Sequence, residues 1–502
     1  MNDTTTYLID KCGYVVHKWV GKYRPGLSVY LLPNGKLLKT GVDKNSPFKS
    51  TGGGWIEIQN WDGSIEWSYK LSTETECQHH DVKYMPNGNI LAIVYENKTL
   101  DEVQIAGRDP KSFNKYFWSE KITELRPIGI DSAEIVWEWK VWDHLIQDFD
   151  NERANYGKVE LHPELIDANF GDKSQIRDWH HMNSVDYNPK YDQILLSSRH
   201  FNEIWVIDHS TTTLEAASHE GGKYGKGGDL LYRWGNPQTY RYGTVEDEQL
   251  FHQHDAHWIT EGFSYAGSIM IFNNLHGPTG NQYSSVDIIK PPIDSEGNYN
   301  NELPYLPATT EWSYTAPNPT DFFAINISGA QMLKSGNVII CNGAKGLFFE
   351  LDTAKTIVWK YMNPVGIGGI LTQGIDPKLS NNVFRCTFYP EDYSAFEGKD
   401  LSSKGIIESN NSNSDVCTLF TSIIDNNNNV TNLYPNPSDE QITIETEYLS
   451  YTIEIIDIHG ERLLTVKNTN TISTKELSNG MYFICLFSES GNVTTKKFII
   501  RR

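Results

Sequence analysis

Residues 64–93 read SIEWSYKLSTETECQHHDVKYMPNGNILAI, and this one stretch holds a complete structural unit. A Trp-bearing segment comes first, a second segment runs to a PNG turn, and an apolar segment follows. Strand, strand, tight turn, strand is the reading, because Gly supplies the positive φ of a two-residue hairpin and β-branched residues and leucines fit a pleated surface. The unit recurs. YVVHKW, SIEWSY, IVWEWKV, LLYRWG, TTEWSY and TIVWKY carry Trp19, Trp67, Trp139, Trp234, Trp312 and Trp359. LLPNGKLLKT and MLKSGNVIICN repeat the turn half with Gly35 and Gly336, and looser copies occupy 188–198 and 264–274. Six Trp strands predict an all-β chain whose residues 1–405 form a six-bladed β-propeller of four-stranded sheets. Radial repetition leaves only short, protected sheet edges. The Trp residues are assigned to core packing. Residues 100–130 and 143–178 are expected to be insertions, with a short helix in HPELIDANFG (162–171).

A chain of 502 residues exceeds what one ordinary core supports. It carries 43 basic and 64 acidic residues, a formal charge of −21. That balance lacks the basic field that nucleic acid or an anionic membrane surface requires. No run of 18 apolar residues appears, so no membrane-spanning segment is expected. Six scattered cysteines without a CxxC pair exclude a zinc ribbon and a disulfide-dense framework. From 406 the composition turns Asn/Ser-rich, and 406–431 reads as a linker. Residues 432–502 then alternate in short runs punctuated by PNP, HG and SNG, which predicts a small C-terminal β-sandwich.

Chemistry enters through histidine. Three units begin the strand after the Trp strand with His: CQHHDVKYMPNG (His79, His80), DWHHMNSVDYNP (His180, His181) and FHQHDAHWITEG (His252, His254, His257). The fifth unit has small residues there, in NISGAQMLKSG. Equivalent positions of a radial repeat ring one axis, so histidines a hundred residues apart converge. Adjacent residues of a regular strand face opposite ways, so one of each pair points inward; His80, His181 and His254 are the choice. Arg199, in ILLSSRHFNEIWVID, adds a fixed cation able to bind an anion in fork geometry. Three His and one Arg suit a small anionic substrate such as a sulfate or phosphate ester. A three-His metal site competes, but no HExxH or short-spaced ligand pair supports it, and the adjacent Arg opposes a cation. No metal or cofactor is expected, and no GxSxG supports a serine nucleophile.

DWHHMNSVDYNPKYDQILLSSRHFNEIWVIDHST, flanked by HHDVKYMPNGNIL and QHDAHWI, resembles the bacterial arylsulfate sulfotransferases over roughly residues 6–405. That resemblance implies a six-bladed propeller that moves a sulfuryl group from a phenolic sulfate ester to a phenolic acceptor without the nucleotide donor PAPS. It implies His254 as the transiently sulfated nucleophile and His181, His80 and Arg199 as catalytic partners. His80, His181, Arg199 and Asn183, in the DWxHxNS string, would bind substrate. Which of His80 and His181 acts as general acid and base stays open. The tail, LYPNPSDEQITIE…IIDIHGERLL…LSNGMYFICLFSESGNVTTKKFIIRR, resembles the C-terminal sorting domain of the type IX secretion system. It implies export to the cell surface or medium through that machinery, a leader before Met1, and oxidisable cysteines, with Cys386–Cys417 a candidate pair. Two other readings stay open: a non-catalytic secreted propeller that binds glycans or proteins, and a sulfatase-like hydrolase.

Overall fold

Every Trp strand of the sequence closes a sheet as its last strand. The computed structural model describes residues 4–48, 52–112, 117–171, 177–277, 280–372, 375–409, 432–446, 450–457, 462–488 and 493–502. The chain divides into two compact units, one within residues 1–410 and one within 411–502.

In the first unit five antiparallel sheets of four strands follow in chain order. Sheet I comprises Pro25–Leu31, Leu37–Val42, Gly54–Gln59 and Ile65–Lys70, and sheet II Glu76–Tyr84, Ile90–Lys98, Phe117–Ile128 and Ser132–Lys140. Sheet III comprises Met182–Asn188, Gln193–Ser198, Glu203–Asp208 and Tyr232–Trp234. Sheet IV comprises His254–Trp258, Ile269–His276, Tyr283–Ile289 and Trp312–Tyr314, and sheet V Gly329–Met332, Val338–Asn342, Leu347–Leu351 and Ile357–Met362. Gly35, Gly88 and Gly336 take φ of 81°, 88° and 85° in the first hairpin of their sheets, as the turns require. First strands of successive sheets lie against one another, I on II through IV on V.

The Trp19 strand departs from the expected four-stranded pattern. Val15–Val20 pairs with Thr5–Ile9 in a two-stranded sheet. Chain from the far end joins it: the Val15 N–H donates to Gly405 O (2.7 Å) and the Lys404 N–H to Val15 O (2.7 Å). Residues 384–396 fill the gap between sheets V and I, since Gln331 exchanges hydrogen bonds with Phe388 and the Tyr393 hydroxyl donates to Leu31 O. Residues 5–20 and 384–405, from the two ends of the first unit, therefore lie together beside sheets V and I.

The Trp residues show how neighbours are tied. Trp67 of sheet I donates its indole N–H to Ser132 O of sheet II, Trp139 of II to Gly228 O before the last strand of III, and Trp234 of III to Pro307 O before the last strand of IV. Lys355 of sheet V sits over the Trp312 ring of IV (5.1 Å). Trp359 of V donates to Lys11 O, and Trp19 donates to Asn60 O of sheet I, so the series returns to its start. Trp19, Trp67, Trp139 and Trp234 are core residues. Trp312 and Trp359 are only half-buried, because their partners are a lysine and a surface loop.

Two insertion expectations change. Residues 117–128 are the third strand of sheet II rather than an insertion. HPELIDANFG holds no helix: a 3-10 turn precedes it at Val159–Leu161, and Ile166–Asp167 pairs in parallel with Leu145–Ile146. Among the described residues no helix is long and apolar enough to cross a membrane. Residues 410–431, most of the expected linker and including Cys417, lie outside the described residues. Cys386 is a free thiol, which removes the Cys386–Cys417 pair.

In the second unit Asn432–Tyr434, Gln441–Glu445 and Thr471–Ser473 form one antiparallel sheet. Tyr451–Ile456, Arg462–Lys467, Gly480–Ser488 and Val493–Ile500 form another. One apolar cluster draws on both, with Ile442, Ile444 and Ile472 from the first and Ile453, Ile484 and Phe498 from the second.

A buried histidine cluster as candidate active site

The first strands of sheets II, III and IV are irregular at their histidines. Pairing shifts between Gln78 and Val82, between Met182 and Ser184, and between His254 and His257. His80 (φ 51°), His181 (φ 52°) and Asp255 (φ 57°) take the left-handed backbone that non-Gly residues rarely adopt. A bulge of this kind re-aims a side chain, and strain persists only where the surroundings over-determine it. Strict alternation, the basis for expecting only one inward His per pair, therefore does not apply here. The Nδ1 atoms of His79 and His80 lie 2.7 Å apart.

His80, His181, His254 and Arg199 come together. The His80 and His181 rings meet edge to face at 4.6 Å. Burial pushes the His254 imidazole well below its ordinary pKa, and the charges of Arg199, His181 and Arg385 push it further. Burial lowers His80 likewise, with His181, His79, His254 and Arg385 adding to it. Arg199 is half-buried, and among the described residues no carboxylate pairs with its guanidinium. Asn183 is fully buried; its Nδ2 donates to Gln253 O (2.7 Å), while its Oδ1 has no partner among the described residues.

The tautomer of His254 is fixed by its neighbours. Nδ1 faces Asn274 Oδ1 (2.8 Å) and His252 O (3.1 Å), both acceptors, so Nδ1 carries the hydrogen. Asn274 cannot turn its amide around, since Nδ2 donates to Ala324 O and Ile327 O (3.0 Å each). Nε2 accordingly holds the lone pair, and the Ile327 N–H donates to it at 3.2 Å. His181 is oriented by Asp178, whose Oδ2 lies 2.5 Å from Nδ1. His79 and His180 turn away into the sheets: His79 stacks on Tyr95 (3.4 Å), and His180 Nδ1 meets Glu120 Oε2 (3.0 Å). His257 stands half-exposed beside Asp255, outside the cluster contacts described above, while His252, on the approach to the strand, contributes its backbone O to His254 Nδ1.

Arg385, Asn274 and Asp178 were missed by the sequence reading. Arg385 makes ion pairs with Asp81 Oδ2 (2.7 Å) and Asp255 Oδ1 (2.9 Å), the residues directly after His80 and His254. It also donates to Asn183 O (2.8 Å) and to the Tyr30 hydroxyl (2.8 Å), while Tyr30 donates to Asp81 Oδ1. One guanidinium thus ties the first strands of sheets I, II, III and IV. Nothing in VFRCTF marks it; the Asp following His80 and His254 is the one signal that a buried cation had to lie nearby. As for metal, Asp178, His181 and His200 place ligand-type atoms within 4.8 Å. There the Asp178 carboxylate already holds His181, and its backbone O takes His200 Nδ1 (2.8 Å).

No curated protein matches the chain. Solved structures resemble it remotely. One is an extracellular domain described as belonging to a hybrid two-component system of B. thetaiotaomicron (10% identity, TM-score 0.33, 100% of this chain and 58% of that one). Another is a virginiamycin B lyase from Staphylococcus aureus (8% identity, TM-score 0.30, 69% and 73%). The chain thus spans 58% of the length of the first, and likenesses this distant carry no argument. Residues 432–501 match a secretion system C-terminal sorting domain, which marks the protein for export to the cell surface or beyond. Residues 50–373, well over half of the chain, span all three histidine strands and match Arylsulfotransferase (ASST), so the chain belongs to the arylsulfotransferase family.

Proposed function

We propose that the protein transfers a sulfuryl group from a phenolic sulfate ester to a phenolic acceptor, by a ping-pong route through a sulfated His254. One observation carries the reading: His254 is buried among positive neighbours with Nδ1–H held by Asn274 and His252, which leaves Nε2 as the only lone pair. Nε2 attacks sulfur in line with the ester oxygen; the N–S bond forms as the S–O(aryl) bond breaks, and the phenolate leaves. The Ile327 N–H yields its place at Nε2 as the sulfuryl group arrives. Arg199 offers an uncommitted guanidinium to the sulfuryl oxygens, where charge builds in the transition state. His181 is the better proton shuttle, since Asp178 fixes its Nδ1 side and leaves Nε2 free to protonate the phenolate and later deprotonate the acceptor. His80 stays neutral and binds, with Asn183 Oδ1 available to a substrate hydroxyl.

Five sheets and the chain-end pair are read as six blades of one propeller, residues 1–405, followed by a linker (406–431) and a sorting β-sandwich (432–502) that addresses the type IX machinery. Incubation with 4-nitrophenyl sulfate tests the chemistry. Nitrophenolate release that depends on added phenol, abolished in His254→Gln with unchanged circular dichroism, is the expected result. Release without phenol indicates a hydrolase, and silence a binding propeller. Near-normal turnover by His254→Gln overturns the nucleophile.

A further inference from the structure

A second histidine cluster lies apart from the chemistry above. His144 ends the 3-10 turn Val141–His144 that follows the last strand of sheet II. Its ring is fully buried and lies parallel to Trp139 (5.6 Å, 7°). Nε2 is 2.8 Å from Ala216 O, and Nδ1 is 2.8 Å from Asp229 Oδ1. A carbonyl only accepts, so Nε2 carries the hydrogen, and the lone pair of the neutral ring points from Nδ1 at a carboxylate oxygen. The same Asp229 Oδ1 lies 2.8 Å from Nδ1 of His219. Two lone pairs aimed at each other need positive charge between them: a second proton on His144, or a cation.

Three features favour the cation. The three ligand atoms lie within 4.8 Å of one another. The buried His144 gives its other N–H to a backbone carbonyl, the outer contact that orients a metal-bound imidazole. His219 is 59% exposed on the glycine-rich loop SHEGGKYGKGG (218–228), so it has room to open its own 2.8 Å spacing to Asp229 toward the ~3.3 Å that tetrahedral bonds of ~2.0 Å demand, leaving only a small shift to the buried His144–Asp229 pair. We propose that His144, His219 and Asp229 form a binding site for a divalent transition-metal cation of the Zn²⁺ class, with a fourth position open to solvent. Imidazole and carboxylate without thiolate suit Zn²⁺, Ni²⁺ or Cu²⁺. The site joins the end of sheet II to the loop that enters the last strand of sheet III, beside the Trp139–Gly228 tie. Its role is to fasten two neighbouring sheets, independently of sulfuryl transfer.

The full-length, tag-free protein is stripped with a chelator and titrated with ZnCl₂ by calorimetry, and with CoCl₂ by visible absorption. Expected are one tight Zn²⁺ per chain, a Co²⁺ d–d band of four-coordinate strength, and a higher unfolding midpoint with Zn²⁺. His219→Ala, at an exposed position, keeps the fold and weakens binding at least tenfold; Asp229→Asn does the same, and activity toward 4-nitrophenyl sulfate is unaltered in His219→Ala. Absence of stoichiometric binding overturns the site and leaves a protonated His–Asp–His triad. Binding of equal strength in His219→Ala overturns it too, and assigns the metal to Asp178, His181 and His200.

Discussion

At the scale of the residue, the decisive contact is one amide. Asn274 is anchored through its own N–H groups, so its oxygen can only accept, and His254 can only donate from Nδ1. On the proposed route, Asn274→Leu keeps the volume, removes the acceptor and frees the imidazole to place its proton on Nε2, where no lone pair then remains for attack. The rate with 4-nitrophenyl sulfate and phenol should fall about tenfold to 10³-fold with little change in KM, because a wrong tautomer disables a correctly placed ring. An unchanged kcat would mean that His252 O suffices to fix the tautomer. The QHDA setting singled out His254 as a candidate and the structure places it in the histidine cluster, whereas nothing in the sequence pointed to Asn274. It stands 20 positions away in the adjacent strand, and its role comes from the direction of its amide, which no residue pattern encodes.

Elements explain how such residues are presented. Turn glycines and alternation located the strands, but the bulges that aim His80 and His181 arise from pairing register, which depends on two strands at once. Between sheets, His209 forms a staple of similar kind. It follows the third strand of sheet III, with Nδ1 2.6 Å from Asp192 Oδ1 and Nε2 3.0 Å from Glu124 Oε2 of sheet II. Burial lowers its pKa, but the hydrogen bonds and charges of the two carboxylates outweigh burial and raise it from 6.5 to about 9. A folded-state pKa above the unfolded one means stabilisation in full below pH 6.5 and lost as pH rises through about 9. Because Asp192 is partly exposed, solvent screens the pair, and the contribution is about 1–3 kcal/mol. Urea midpoints of the wild type and His209→Gln should therefore differ clearly at pH 6 and converge near pH 10. A difference that persists at pH 10 would show that His209 acts by packing against Trp137 and Tyr187 instead.

Across the whole molecule, one cation holds the first strands together. Arg385 enters from the segment after the last sheet and meets carboxylates from sheets II and IV, a carbonyl from III and a hydroxyl from I. Arg385→Gln leaves two buried carboxylates facing each other, and breaking a buried pair in this way costs about 3–5 kcal/mol. Equilibrium urea unfolding should show that loss, and the triple variant with Asp81→Asn and Asp255→Asn should recover much of it. A loss below about 1 kcal/mol would reduce Arg385 to a bystander. The sequence by itself determined the all-β repeat, the Trp strands, the family strings and the three histidine positions, because hydrophobic period and turn chemistry are local properties. That each Trp strand ends one sheet while the two strands after it open the next was decided by strand pairing. Only the tertiary structure decided where the Trp19 strand goes, with Thr5–Ile9 and residues 404–405 beside it. It likewise decided which nitrogen of His254 is bare and that Arg385 stands at the centre. Each of these depends on groups brought together from distant parts of the chain, where burial makes every unpaired charge costly and so dictates its partner.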